Sequence, residues 1–152
     1  MRSLVKFIML GSSLRTCLGV DMFKEKIMPR FTETDALGHI NNTVLPVWFE
    51  ATRTPIFRFF TPDLDPKQWK LIIAKIEVEF QGELFYGQEV EIKTAIRKVG
   101  NSSFVIEQSA WQHDQQCALG KTVVVRYDFD IKKAQPLSDS EKKMLSEHLL
   151  TD

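Results

Sequence analysis

Between Arg30 and Asn42 the chain reads Arg-Phe-Thr-Glu-Thr-Asp-Ala-Leu-Gly-His-Ile-Asn-Asn, and an apolar helical pattern follows at once. The stretch sets a carboxylate (Asp35), a glycine (Gly38), an imidazole (His39) and two amides (Asn41, Asn42) at the entry to a strongly hydrophobic helix. A helix entry carries unpaired N–H groups and the positive end of the macrodipole. An acid beside such a terminus suits acyl transfer, because the N–H groups can hold a developing oxyanion while the acid attacks or activates water. On residue types alone a turn-capping role for Asp35 is equally compatible.

The rest of the chain must position these groups. Its 152 residues favour one domain with a real core, and 43% are hydrophobic, as in a folded globular protein. Twenty basic residues balance twenty acidic ones, which argues against a nucleic-acid partner held by bulk charge. Cys17 and Cys117 lie far apart with no metal-type spacing, so neither a disulfide framework nor a metal site is expected. A reducing, cytoplasmic setting fits. No apolar run approaches the roughly 20 residues of a membrane span. Residues 1–21, with a basic start and a brief apolar run, read as an N-terminal extension or as the product of a start placed too early. Met22 could equally begin the chain, so the domain is expected over 22–152.

Residues 22–31 predict a first strand with Phe23, Ile27 and Phe31 on one side. Residues 43–60 predict one long central helix, capped near Asn42 or Thr43, with Pro46 in its first turn and Pro55 kinking or ending it. Its polar stripe would be Glu50, Arg53, Thr54 and Arg58. Four strands follow. Ile72, Ala74, Ile76, Val78 and Phe80 alternate with polar residues. So do Val90, Ile92, Thr94 and Ile96, and later Leu119, Val123, Val125, Tyr127 and Phe129. Residues 102–113 are strand-like but mixed. The short connections 82–87, 98–101 and 113–116 are expected to join antiparallel neighbours. A last helix should run over 138–149, with Ser138 and Glu141 forming a capping box. The expected architecture is α+β: a long central helix wrapped by a curved antiparallel sheet of about five strands. A free edge strand invites a second copy, so a homodimer is expected, or a dimer of dimers.

The run Arg30-Phe31-x-Glu33-Thr34-Asp35-x-x-Gly38-His39-x-Asn41-Asn42, followed by Trp48-Phe49-Glu50-Ala51-x-Arg53, resembles the hotdog-fold acyl-CoA thioesterases of the 4-hydroxybenzoyl-CoA thioesterase type. The resemblance covers about residues 22–135. It implies a hotdog fold and hydrolysis of acyl-CoA to free acid and coenzyme A. No cofactor is implied, since coenzyme A is part of the substrate. It also implies that Asp35 is the catalytic acid and that the Asn42 N–H polarises the thioester carbonyl. Relatives often carry an aromatic residue three positions after the second Asn, where this chain has Leu45. The His-x-x-Gly-x-Pro-x-x-Pro-Gly pattern of the dehydratase branch is absent, as is the His-Gly-Gly of the branch with a mid-helix acid.

Within that frame Asp35 either attacks the thioester carbon or takes a proton from water. His39 is assigned a supporting part. Gly38 supplies a backbone conformation or a close ligand approach. Asn41 and Asn42 organise the loop and cap the helix. Trp48 and the phenylalanines of 57–60 are core residues, some of which would line an acyl tunnel at a dimer boundary. Ser102 and Ser103 are turn residues in a loop that approaches the ligand in many relatives. Glu50 with Arg53 reads as a surface ion pair or dimer contact. Cys117 reads as a small core residue. Arg97, Lys98, Arg126, Lys132 and Lys133 are candidates for the phosphates of coenzyme A. Two other functions stay open: a thioesterase acting on acyl-carrier-protein thioesters, and a non-catalytic acyl-CoA-binding hotdog protein.

Overall fold

A computed structural model describes residues 20–151. Strand β1 (Phe23–Ile27) leads through a short 3-10 turn (Phe31–Glu33) and a tight loop into helix α1 (Val44–Ala51), then into a second short helix, α2 (Thr54–Phe57). Strands β2 (Leu71–Phe80), β3 (Val90–Val99), β4 (Ser103–Gln112) and β5 (Gln115–Asp128) follow. The two-residue strand β6 (Lys133–Ala134) and helix α3 (Asp139–Ser146) complete the chain. The sheet is antiparallel, in the order β1-β3-β4-β5-β2, with β6 added on β5. The extension expected over 1–21 lies, but for its last two residues, outside the described residues.

The expected long helix is two short ones. Pro55 has no N–H to give the Ala51 carbonyl, and the Thr54 hydroxyl donates to that carbonyl instead, at 2.9 Å. The chain turns at Thr52 and Arg53 and starts again at Thr54. The buried face of this double helix is Leu45, Trp48, Phe49, Thr52, Arg53 and Ile56, a run of three- and four-residue steps. Arg53 therefore belongs to the buried face and not to the polar stripe expected from its charge.

Three further expectations are corrected. Segment 81–89 does not join neighbours: β4 and β5 stand between β3 and β2, so this connection crosses from one part of the sheet to another. Strand β2 breaks its alternation with a bulge between Ile73 and Lys75. The bulge puts Ile73, opposite core residue Val124, on the same side as Ile76, opposite Thr122. Beyond Cys117 near its start, the buried set in β5 is Ala118, Gly120, Thr122 and Val124, out of phase with the larger apolar residues Leu119, Val123 and Val125. The reason is the helix. A Cβ built on Gly120 would stand 2.6 Å from the Phe49 ring, so only glycine lets α1 lie this close to the sheet.

The core falls into two apolar clusters. One gathers Leu45, Trp48, Phe49, Val90, Ile92 and Ala118 under the first half of α1. The other gathers Ile56, Phe60, Ile96, Phe104, Ile106 and Val124 beneath α2 and α3. Between them in each element lies a polar residue: Thr52 and Arg53, Thr94 in β3, Gln108 in β4 and Thr122 in β5, all buried. Gln108 links this belt. Its Nε2 lies 2.9 Å from the Phe49 carbonyl, 2.8 Å from Thr52 Oγ1 and 3.1 Å from Thr94 Oγ1. Its Oε1 accepts from Arg53 Nε at 3.1 Å.

Candidate active site

The loop after β1 is a hairpin built on Asp35. Thr34 and Ile40 bridge across its base, and the Asp35 N–H donates to the His39 carbonyl at 2.8 Å. Asp35 Oδ1 accepts the N–H groups of Leu37, at 2.8 Å, and His39, at 3.2 Å. These bonds fix the carboxylate by one oxygen. Among the described residues nothing donates to Oδ2. Gly38 closes the turn at φ +82°, a conformation side chains resist, so its part is conformational.

The hairpin is braced from the side. Segment 81–89 lays Leu84 and Phe85 along it, with the Ile40 N–H donating to the Leu84 carbonyl at 2.8 Å and His39 bridging to Phe85. Gln112 holds that segment in turn, accepting from the Phe85 N–H at 3.0 Å and donating to the Phe85 and Gln88 carbonyls.

The helix entry comes next. Thr43 is the N-cap residue of α1 and makes no side-chain cap bond. The capping oxygen comes from Asn41, whose Oδ1 accepts the Thr43 N–H at 3.0 Å and the Thr43 hydroxyl at 2.9 Å. Asn42 is exposed, and among the described residues nothing accepts its N–H.

These groups share one cavity of about 270 Å³. Asp35, His39, Ile40, Asn41, Asn42 and Leu45 form one wall, and Phe80, Gly82, Glu83 and Leu84 form the other. The second wall was not foreseen. The Gln81-Gly82 break after β2 was its only signal in the sequence. His39 sets its imidazole against Glu83, with Nε2 3.5 Å from that carboxylate and its ring edge-on to Phe85. Leu45, at the position where relatives often carry an aromatic residue, lines the cavity.

Other candidates stand elsewhere. Trp48 is buried beneath the loop, where its Nε1 donates to Glu33 Oε1 at 3.2 Å, and it does not line the cavity. Ser102 and Ser103 lie at the β3–β4 turn, roughly ten strand residues (about 33 Å) from the 84–90 end of β3, so within one chain they do not join Asp35. Arg126 is committed to Glu141, with Nε 3.1 and 3.0 Å from its two oxygens. Cys117 is buried, and burial raises its thiol above the usual range, so it stays an inert core residue. A wider hollow of about 530 Å³ around Lys26, Glu91, Lys93 and Trp111 offers no comparable chemistry. Its charges are taken up locally, Lys26 by Glu89 and Lys93 by Glu91 and the Trp111 ring.

Asp35 Oδ2 and a helix-entry N–H, neither with a partner among the described residues, share one cavity, and such a pair suits acyl chemistry. Residues 29–146 match the family model described as thioesterase-like superfamily. The chain belongs to the thioesterase-like superfamily. Its sheet and helix agree with a solved member described as a predicted thioesterase from Bacillus stearothermophilus, 42% identical, with a TM-score of 0.83 over 87% of this chain and 99% of that one. A Thermus thermophilus thioesterase solved with coenzyme A and zinc shares the fold, at 24% identity and a TM-score of 0.73 over 84% of this chain and 98% of the other. An uncharacterized Bacillus subtilis protein, YsmA, is 27% identical over 124 residues, 81% of this chain and 84% of its own. Superfamily membership ties the chain to thioester hydrolysis in general. Among the described residues no helix is long and apolar enough to cross a membrane.

Proposed function

We propose that this protein hydrolyses acyl-CoA thioesters to the free acid and coenzyme A, in the manner of the 4-hydroxybenzoyl-CoA thioesterase type. The observation that carries the reading is the shared cavity, in which, among the described residues, Asp35 Oδ2 and the Asn42 N–H have no partner. The thioester carbonyl oxygen accepts the Asn42 N–H, whose partial positive charge is reinforced by α1. Asp35 then acts in one of two ways. Its carboxylate adds to the carbonyl carbon, the C–S bond breaks to give a mixed anhydride, the departing thiolate takes up a proton from solvent, and water cleaves the anhydride to the free acid and the Asp35 carboxylate. Alternatively, it takes a proton from a water that adds directly, and the adduct collapses with C–S cleavage as that proton passes to the departing thiolate. His39 and Glu83 flank the site and can hold that water. Leu45 and Phe80 bound the acyl end. No cofactor is needed in this scheme, and coenzyme A enters as part of the substrate.

A second copy belongs to the proposal. Strand β2 is an edge strand, and Ile72, Ile73, Ile76 and Phe80 on it are 41%, 38%, 49% and 53% exposed. Pairing two such edges would cover them and bring a second chain to the cavity mouth, where Phe80 stands.

Thiol release from short, medium, long and aromatic acyl-CoAs tests the reading, with wild type and Asp35→Asn side by side. The expected loss in the variant is at least about a hundredfold in kcat with the fold unchanged. A variant at the wild-type rate would remove Asp35 from the chemistry. Matched carrier-protein thioesters in the same assay identify the carrier of the acyl group.

A further inference from the structure

Two glutamates in this chain are built into the same device. Glu33 and Glu141 each stand at the third position of a helical turn, 7% and 8% exposed. Each accepts the backbone N–H of the cap residue, Arg30 at 2.7 Å and Ser138 at 2.8 Å. Each is also paired to an arginine side chain, Arg30 or Arg126. Glu141 ends there, and its box starts α3. Glu33 reaches further. Its Oε1 also accepts the indole N–H of Trp48 in α1, at 3.2 Å, and its backbone carbonyl accepts the Asn41 N–H at 2.8 Å.

Those two extra bonds have a geometric result. The Asp35 hairpin leaves Glu33 at one end and returns at Asn41 at the other, and Glu33 holds both ends together. The carboxylate then ties this closed loop to the third residue of a helical turn beyond Leu45, in the helix whose entry presents the Asn42 N–H. Side-chain and backbone links from one residue thus reach Asn41 and α1, which flank the hairpin that carries Asp35.

We propose that Glu33 is a positioning residue for the hydrolysis, setting where the Asp35 carboxylate stands relative to the Asn42 N–H. The proposal rests on the reading of Asp35 as the reacting acid. Misplacement by about 1 Å at such a site costs on the order of a hundredfold in rate. Substrate binding outside the reacting centre is left intact, so the loss falls on kcat.

The test uses acyl-CoA turnover by Glu33→Ala, Glu33→Gln, Trp48→Phe and Glu141→Ala, each assayed well below its own melting temperature. Glu141→Ala is the control, since it dismantles the same device away from the site. For Glu33→Ala the expectation is a kcat lower by about tenfold to a hundredfold, with KM within about threefold. Glu33→Gln keeps an acceptor toward Trp48 and recovers part of that loss. Trp48→Phe, lacking the indole N–H, loses a few-fold. Glu141→Ala keeps the wild-type kcat. If Glu33→Ala does not fold, Glu33→Gln and Trp48→Phe decide. Wild-type kcat in both overturns the proposal, as does Glu33→Ala matching Glu141→Ala. Adding Glu33→Ala to Asp35→Asn should cost little further rate, because the two act through one group, and a full additional loss overturns the proposal. Asp35→Asn at the wild-type rate would instead sink the reading of the site itself. An inactive Asp35→Asn beside an unimpaired Glu33→Ala sinks only the role of Glu33.

Discussion

Helix α1 has a charged side chain drawn out of water at each end, and the two ends are finished differently. At the N-terminal end both Glu33 oxygens are engaged, by Arg30 and by Trp48. At the C-terminal end Arg53 is 2% exposed, its Nε bonded to Gln108, and its Nη2 is buried with no partner among the described residues. Burial lowers the Arg53 pKa while the nearby Glu50 carboxylate opposes the fall, and a guanidinium remains charged through such shifts. An open groove of about 410 Å³ runs beside it, between Glu50, Phe57, Trp69, Ile73 and Ile76. The difference shows which end has its polar groups satisfied within one chain. The end next to the Asp35 hairpin is closed by bonds within one chain. The other end keeps a polar group unsatisfied beside an apolar flank, which is tolerable only where the surrounding packing is otherwise strong.

Breaking the C-terminal end should have the larger effect on stability. Arg53→Ala removes the buried stem and leaves Gln108 Oε1 without its donor, so a loss of about 2–4 kcal/mol is expected in denaturant unfolding. Arg53→Met keeps the stem and discards the desolvated charge, and should lose less than half as much. Equal losses in the two variants would mean that the charge, and not the packing, holds this end.

The N-terminal end is sharpened by acid. Burial pushes the Glu33 carboxyl up, but bonds from the Arg30 side chain, the Arg30 backbone and Trp48 outweigh it and hold the group below its ordinary 4.5. A carboxyl lowered on folding contributes its full stability above the unfolded value and loses it as the pH falls through the folded one. Between pH 5 and pH 3, roughly, the wild-type melting temperature should therefore fall more steeply than that of Glu33→Gln. Parallel curves would show that the Glu33 charge contributes nothing. The smallest effect belongs to Arg30→Ala. The Arg30 side chain is 74% exposed in its pair with Glu33, so the change should stay within about 1 kcal/mol in the same unfolding measurement.

Much of this was legible in the sequence, for identifiable reasons. The Asp35 loop and the α3 cap were readable because short-range bonds decide them, Asp35 to Leu37 and Ser138 to Glu141. Strand β3 was readable because its large apolar residues face the core. Arg53 was misplaced because charge was taken as a sign of exposure, whereas helical spacing from Phe49 and Thr52 puts it inward. Strand β5 misled because α1 sits so close that the core face needs Ala118 and Gly120, leaving Leu119 and Val123 outside. Ser102 and Ser103, and the Glu83 wall of the cavity, depended on strand order. A short connection such as 81–89 suggests adjacent strands, and only the assembled sheet shows that β4 and β5 come between.

That crossing connection also sets an order of events in folding. The Asp35 hairpin receives its brace from Leu84 and Phe85, and those are pinned by Gln112 and by the Cys117 carbonyl, which accepts from Gln81 and Gly82. Contacts so distant along the chain close slowly compared with a turn or a helix. The acid is thus shaped locally and early, while its enclosure waits for β4 and β5. A single backbone cut within 81–89 is therefore expected to take the brace from the Asp35 hairpin while leaving most of the sheet intact.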